Sequence, residues 1–401
     1  MVPVVFLHGW SGSINTYSKL PRLLKSKYNV IELFLGEYTT GDDDLSIDDY
    51  AIALEKAVID KGIQKPFDVV IHSTGALVVR AWLSRFHKAG NPSSVRKFIM
   101  AAPANNGSRL AGWGKKLPWD WGNKVLNALE LASSYTWNLN WAWMGNDYQA
   151  LKNNGLEMYH LQGTNNDIDM PGFLDNIDNF LGIDIPVFEE EGSDNTVRFC
   201  AANLNMKGVR IGLGQTLEGA LPREISNIPI YVFENRSHFG KKHGILGAIR
   251  DDNDPVFKAI DAILRDAPPP ATAEKDYPSG INYTMLNIRV IDQLGNPHED
   301  FIVRFYLDSK DVNDAIKVEH RYENHEIDCY YLKYKDLGST KRFGFRIEGN
   351  KIRNANYAPS KNIDLYCPDE GVNFFSARKT HLIEVMIEKS LNEKAFSFKK
   401  M

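Results

Sequence analysis

Apolar and polar residues alternate along the first two thirds of the chain in the manner of an α/β domain. Short apolar runs predict buried strands, at residues 2–7, 28–35, 69–71, 97–102, 157–163 and 228–234. Segments with apolar residues at every third or fourth position predict helices among these strands, with a last helix at about 255–265. This order predicts a mostly parallel sheet covered by helices on both faces, in one domain over residues 1–266.

The pattern changes after residue 266. Residues 267–280 are rich in proline and predict a linker. Beyond it, segments such as LNIRVID and FIVRFYL alternate apolar with polar residues, as half-buried antiparallel strands do. Residues 281–401 are therefore predicted to form an all-β domain of sandwich type. This domain holds no evident catalytic group, so we expect it to bind a protein partner, substrate or membrane surface, or to stabilise the first domain.

A serine follows the third predicted strand directly. In the segment IHSTG, Ser73 stands between a strand and a helix, and Gly75 leaves room where the helix begins. This is the arrangement of a nucleophile elbow, in which a sharp turn holds a reactive hydroxyl at the edge of a sheet. Ile71 stands where the usual pattern has glycine, so we expect a wider elbow. The alternative is an ordinary strand–turn–helix with a surface serine.

A glycine-containing loop follows the first predicted strand. Its sequence is His-Gly-Trp, and in hydrolases with a serine elbow such a loop supplies a backbone N–H to the oxyanion hole. Trp10 is the predicted donor in this loop, and Thr74, the residue after Ser73, is the predicted second donor. Two fixed donors stabilise the negative charge that develops on the carbonyl oxygen. The alternative is a plain turn with a buried His8.

A serine nucleophile needs a histidine base and a carboxylate that orients the base. Asp194 lies in the turn Gly-Ser-Asp-Asn-Thr-Val and is the predicted carboxylate, with Asp167 and Asp169 as alternatives. His238 follows the last predicted strand of the sheet and is the predicted base, with His243 of the same loop as the alternative. No glutamate stands between the two histidines as in a zinc-binding helix, so neither a metal site nor a cofactor is predicted.

The segment after the fourth predicted strand is unusually rich in tryptophan. Six of the eight tryptophans fall between residues 113 and 143. We predict a helical cap at about residues 104–150 that lies over the site and contacts an apolar substrate. The predicted substrate-binding residues are Trp113, Trp119 and Trp121. Indole rings also suit membrane interfaces, which favours peripheral membrane contact, and the alternative is that they pack the core of a small helical subdomain.

Composition narrows the classes of function. The net charge of −4 gives no electrostatic basis for binding nucleic acid. No apolar run has the length of a membrane span. The three cysteines are odd in number and widely spaced, so we expect neither a disulfide framework nor a metal cluster. Because residues 2–7 predict a strand and not a signal peptide, we expect cytoplasmic synthesis, with export by a signal-independent route as an open alternative.

The motifs together resemble a known family. The chain order Ser, Asp, His is that of the α/β-hydrolases. Within this fold the sequence resembles the lipase branch that includes lecithin:cholesterol acyltransferase and the GPI-inositol deacylases. The matching segments are the Trp10 loop, Arg80-Ala81-Trp82, Ala102–Ser108, and the Asp194 turn with Ala201–Leu204. Asn195 stands where this family often has glycine. The resemblance covers about residues 1–266 and implies an α/β-hydrolase fold there.

The sequence therefore predicts a serine ester hydrolase that cleaves acyl esters of lipids through an acyl-enzyme. Ser73 is the predicted nucleophile, His238 the general base and Asp194 the group that orients it. A general carboxylesterase, an acyltransferase, a thioesterase or a peptidase are alternatives on the same triad. A protein that binds a lipid or a partner without catalysis, on a hydrolase scaffold, is the alternative from another class.

Overall fold

The computed structural model describes two compact units. The first comprises residues 1–205 and 225–281, and the second comprises residues 206–224 and 282–401. Within them the described residues are 1–9, 14–33, 45–89, 92–109, 111, 123–165, 192–215, 219–276, 283–298, 301–307, 310–311, 326–333, 343–349, 357–359, 363–366, 375–387 and 389–391.

Eighteen strands lie within the described ranges. They are β1 (Pro3–Leu7), β2 (Asn29–Leu33), β3 (Phe67–His72), β4 (Val95–Ala101), β5 (Glu157–Gly163), β6 (Met206–Ile211), β7 (Arg223–Ile225), β8 (Ile230–Phe233), β9 (Thr272–Ala273), β10 (Tyr283–Asp292), β11 (Phe301–Leu307), β12 (Lys310–Asp311), β13 (Ile327–Lys333), β14 (Phe343–Gly349), β15 (Tyr357–Pro359), β16 (Ile363–Tyr366), β17 (Thr380–Ile387) and β18 (Lys389–Leu391).

Eight α-helices lie in the same ranges. They are α1 (Leu20–Leu24), α2 (Ile47–Asp60), α3 (Gly75–Trp82), α4 (Asn123–Leu129), α5 (Ser134–Ala142), α6 (Tyr148–Asn153), α7 (Phe199–Ala202) and α8 (Pro255–Leu264). A π-helical turn continues α3 over Leu83–His87, and a second one joins α5 to α6 over Trp143–Asp147. In the part of the chain that the structure describes, no helix is both long and apolar enough to cross a bilayer.

The first unit is built on a seven-stranded sheet in the order β2-β1-β3-β4-β5-β8-β9. Its strands run parallel except β9, which pairs antiparallel with β8 at one edge. Phe67 and Val70 lie three positions apart on β3 and so point to opposite faces. Val70 joins an apolar cluster with α1 and α8, whereas Phe67 stacks on Trp82 of α3 with ring centroids 5.9 Å apart. The predicted parallel sheet with helices on both faces is confirmed.

Local capping signals set where two of these helices begin. Ser46 Oγ accepts the Asp49 N–H at 3.3 Å, and the Asp49 carboxylate accepts the Ser46 N–H at 2.8 Å, which is a capping box at the start of α2. Asp254 accepts the Val256 N–H at 2.9 Å, and Pro255 takes the first position of α8. Both capping signals are therefore visible in the sequence beside the helix start that they stabilise.

Helices α4, α5 and α6 lie in the tryptophan-rich insertion between β4 and β5. Trp137, Trp141 and Trp143 are buried. Trp143 donates from Nε1 to Ser84 Oγ at 2.8 Å, and the Arg80 guanidinium lies 4.7 Å from the centroid of its ring. Trp143 therefore packs on α3 and on the turn that continues it, whereas Trp137 and Trp141 lie edge to face with ring centroids 5.9 Å apart. The predicted substrate-binding residues lie outside the described residues: Trp113, Trp119 and Trp121.

The second unit contains a five-stranded sheet, β13-β10-β17-β6-β7, and a four-stranded sheet, β12-β11-β14-β16. One buried apolar cluster joins side chains of both, with Leu286 and Ile288 from β10, Phe305 from β11 and Phe345 from β14. Two sheets that share one core form a sandwich, as predicted.

Two features of the second unit differ from the sequence-based expectation. β10 pairs parallel with β17, and β17 pairs parallel with β6, where antiparallel strands were expected. Strand side chains alternate in the same way in parallel and antiparallel ladders, so the pattern does not distinguish them. In addition, residues 206–224 belong to this unit although they fall inside the predicted first domain.

Candidate active site

Ser73 lies on a strained turn between β3 and α3. Its φ is +54°, a left-handed value that non-glycine residues rarely adopt, and its backbone N–H donates to the Ala101 carbonyl oxygen at 3.1 Å. A Cβ on Gly75 would lie 3.1 Å from the Leu7 carbonyl oxygen and 3.2 Å from Ile71 Cβ. The missing side chain of Gly75 therefore gives room both to the start of α3 and to Ile71, the residue that replaces the usual glycine.

His238 joins Ser73 to Asp194. Its Nε2 lies 3.0 Å from Ser73 Oγ, and its Nδ1 lies 2.9 Å from Asp194 Oδ2. All three residues are buried. The structure thus brings the predicted serine, histidine and aspartate together as one hydrogen-bonded chain.

His243, the alternative to His238, has another place in the described structure. His243 contributes its carbonyl oxygen to the Ser237 N–H at 2.9 Å, while His238 is the histidine beside the serine. Asp167 and Asp169 lie outside the described residues.

The turn that carries Asp194 holds its carboxylate firmly. Oδ1 accepts the backbone N–H groups of Thr196 at 3.2 Å and Val197 at 2.8 Å. The Asp194 carbonyl oxygen accepts the His238 N–H at 2.9 Å, which ties this turn to the histidine loop. Asn195 has a φ of +72°, and asparagine tolerates this left-handed conformation better than most residues. Asparagine therefore suits the position where the resembling family often has glycine.

Gly9 brings the His-Gly-Trp loop against the elbow. A Cβ on Gly9 would lie 2.8 Å from the His72 carbonyl oxygen, 2.9 Å from Ser73 Cβ and 3.4 Å from the Thr74 nitrogen. Real Cβ atoms do not approach so closely, so this contact requires glycine. Thr74 therefore presents its backbone nitrogen to this loop from the start of α3, where the helix dipole favours negative charge. Trp10, the other predicted oxyanion donor, lies outside the described residues.

Two buried residues of the site were not singled out by the sequence analysis. His72 Nε2 lies 3.0 Å from the His238 carbonyl oxygen, and burial holds the pKa of His72 well below its usual value. Because a carbonyl oxygen only accepts hydrogen bonds, the neutral His72 ring carries its proton on Nε2 and donates it to the His238 carbonyl group. Gln162 donates from Nε2 to Asp194 Oδ2 at 3.0 Å. His72 could have been found because it stands inside the elbow segment, whereas Gln162 belongs to no local motif.

The arrangement suits activation of a hydroxyl nucleophile. A serine hydroxyl that donates to a histidine can transfer its proton as the oxygen attacks an electrophilic carbon, and the carboxylate stabilises the resulting imidazolium. Among the described residues, no group of three or more His, Cys, Asp or Glu side chains is placed to hold a metal ion.

The profile of the alpha/beta hydrolase fold family matches residues 2–217, more than half of the chain, and the chain belongs to this family. Two solved structures of phospholipase PlaB from Legionella pneumophila are similar to it. One, in complex with thio-NAD, has 24% identity and a TM-score of 0.79, and the other has 23% identity and a TM-score of 0.80. Each similarity covers 100% of this chain and 96% of the other chain.

No curated protein sequence matches the chain. The narrower resemblance to the lecithin:cholesterol acyltransferase branch stays a prediction.

Proposed function

We propose that the chain is a serine ester hydrolase of the lipase or phospholipase type. The observation that carries the proposal is the hydrogen-bonded chain from Ser73 through His238 to Asp194, with contacts of 3.0 and 2.9 Å. A nucleophile on a strained elbow, a base within hydrogen-bond reach and a buried carboxylate behind the base are the parts that acyl transfer to serine needs.

The reaction runs in two halves. Ser73 Oγ attacks the carbonyl carbon of the ester while its proton passes to His238 Nε2. The backbone N–H groups of Thr74 and Trp10 stabilise the tetrahedral oxyanion. The bond to the leaving alcohol then breaks, and His238 gives its proton to that alcohol. In the second half, water attacks the acyl-serine with His238 as base, which releases the carboxylic acid and restores the Ser73 hydroxyl.

Two observations support a lipid ester as the substrate. Two solved structures that share this fold along the whole chain are of a protein named a phospholipase. The insertion between β4 and β5 also carries Trp113, Trp119 and Trp121 besides its three buried indoles, an apolar composition that suits a long acyl chain better than a small polar ester. In this proposal Trp113, Trp119 and Trp121 contact the acyl chain.

Ester hydrolysis over a series of acyl lengths tests the proposal. Wild-type protein and Ser73→Ala are compared on p-nitrophenyl esters and on phospholipid vesicles, with fluorophosphonate labelling of Ser73 as a substrate-independent measure. We expect wild-type activity to rise with acyl length, fatty acid to be released from the vesicles, and Ser73→Ala to lose at least about a thousandfold in kcat.

Two outcomes would contradict this assignment. Activity on short esters alone would overturn the lipid substrate and leave a general carboxylesterase. A wild-type protein that hydrolyses no ester and takes up no fluorophosphonate would leave a binding protein on a hydrolase scaffold.

A further inference from the structure

Asp194 is held by the central sheet as well as by its own turn. Gln162 is a fully buried residue of β5, and its Nε2 lies 3.0 Å from Asp194 Oδ2. The same oxygen receives the Nδ1–H of His238 at 2.9 Å. Because Oδ1 accepts two N–H groups of the turn, Gln162 is the donor that fixes the oxygen facing the base.

The neighbours of Gln162 fix the orientation of its amide. Its Nε2 also lies 3.1 Å from the Gly163 carbonyl oxygen, so this end of the amide faces two acceptors and must be the nitrogen. Its Oε1 then faces His160 Nε2 at 2.9 Å. An amide oxygen only accepts hydrogen bonds, so His160 carries its proton on Nε2 and donates it.

His160 is suited to be a permanent neutral donor. It is fully buried, and burial lowers its pKa to about 4. The imidazole therefore stays neutral at the neutral and alkaline pH at which a histidine base works. His160 thus donates to Gln162, and Gln162 donates to Asp194. His238 donates to the same carboxylate from the other side.

We propose that Gln162 and His160 are positioning residues that hold the Asp194 carboxylate in the place where it orients His238. This inference rests on the proposed function, because it assigns roles relative to the Ser73 reaction. No proton moves along the chain, since an amide neither gains nor loses one. Without the Gln162 N–H, Asp194 Oδ2 loses the donor from the sheet and is held less firmly toward His238. The titratable groups that face His238 in the described residues are Asp194 and the neutral His72.

Gln162→Met tests the proposal because it keeps the length of the side chain and removes the amide. The rate of Ser73 labelling by a fluorophosphonate probe is measured between pH 5 and 9, together with kcat and KM on a p-nitrophenyl ester. We expect a labelling rate and kcat about tenfold lower, with KM little changed, since the loss is of one hydrogen bond to a charged group.

Matched variants separate positioning from packing. Gln149→Met removes an exposed amide from α6 and should match the wild type. His160→Gln keeps an N–H donor for Gln162 and should retain more activity than His160→Leu. Gln162→Glu keeps the shape but sets a second carboxylate against Asp194, so activity should fall as the pH rises and both groups ionise. This variant serves if Gln162→Met does not fold.

The outcomes distinguish this inference from the proposed function. If the wild type reacts with the probe while Gln162→Met or Gln162→Glu keeps wild-type rates and pH profile, the inference is overturned and the proposed function stands. Equal activity of His160→Gln and His160→Leu also overturns it, because that result assigns only packing to His160. If wild-type Ser73 fails to react, the proposed function itself is wrong.

Discussion

The imidazole of His72 holds the backbone of His238. Its Nε2 lies 3.0 Å from the His238 carbonyl oxygen, and the centroids of the two rings are 4.8 Å apart. His72 is the residue directly before Ser73, so the segment that carries the nucleophile also fixes the loop that carries the base. Burial is the main cause that lowers the pKa of His72, and the neighbouring His238 lowers it further. The His72 ring therefore stays neutral while its Nε2–H donates to the His238 carbonyl oxygen.

Removal of the His72 N–H should weaken catalysis although the nucleophile and the base both remain. In His72→Phe the ring contact with Phe239 is kept, but the His238 carbonyl oxygen loses its partner. We expect the rate of Ser73 labelling by a fluorophosphonate to fall about tenfold, since one buried hydrogen bond is lost. His72→Gln, which keeps an N–H donor, should fall less. Equal rates in His72→Phe and wild type would show that the contact does not position the base.

The left-handed backbone of Ser73 predicts a difference between two inactive variants. Both Ser73→Ala and Ser73→Gly lack the nucleophile, but only glycine adopts a φ of +54° without strain. We expect Ser73→Gly to be more stable than Ser73→Ala by about 1 kcal/mol, since the strain relieved exceeds the entropy that glycine loses on folding. Urea unfolding followed by tryptophan fluorescence measures this difference, because all eight tryptophans belong to the first unit. An alanine variant of equal or higher stability would contradict it.

Local signals were sufficient for most strands of the first-unit sheet and for the order of its reactive groups, although β9 lies within the predicted linker. β5 has the predicted bounds, Glu157–Gly163, and the capping box of Ser46 and Asp49 at the start of α2 involves only neighbouring residues. Ser73 could be found because it directly follows β3, and His238 because it lies five residues after β8; both strands have a clear apolar run. These features depend on a few neighbouring residues, which a single sequence displays.

The remaining features depend on contacts between residues far apart in the chain. In the sequence, His160 and Gln162 are simply two residues of a predicted strand, two positions apart. Only the folded chain brings Gln162 to Asp194. Likewise, β6 joins the sheet of the second unit through its pairing with β17, which no pattern within residues 206–211 indicates. The apolar period of a strand shows which side chains are buried and not which strand lies beside it.

Gly163 provides a steric test of the histidine loop. A Cβ at this position would lie 2.1 Å from the Arg236 carbonyl oxygen, a backbone atom two residues before His238. Gly163→Ala must therefore push the loop away, and we expect a loss of about 2 kcal/mol of stability together with slower Ser73 labelling. Gly212→Ala is the matched control, since its nearest neighbour is the end of the Gln215 side chain, which can move. Similar effects of the two variants would contradict the predicted clash.

The buried neutral His160 predicts loss of stability in weak acid. Its pKa is about 4 in the folded chain, against 6.5 for an ordinary histidine, so between these values the unfolded chain binds a proton that the folded chain does not. The free energy of unfolding must then fall as the pH drops from 6.5 to 4. The difference between the two pKa values, at roughly 1.4 kcal/mol per pH unit, corresponds to a loss of about 3 kcal/mol in the free energy of unfolding.

His72 and His8 contribute with the same sign, because burial lowers the pKa of each of them as well. His160→Gln removes one of these titrations while it keeps a donor for Gln162. Its unfolding free energy should therefore fall less steeply over this pH window than that of the wild type, whatever its stability at pH 7. Urea unfolding at several pH values, followed by tryptophan fluorescence, gives both slopes. Parallel curves would mean that His160 takes up a proton in the folded chain as readily as in the unfolded chain. The ring would then not be held neutral by burial.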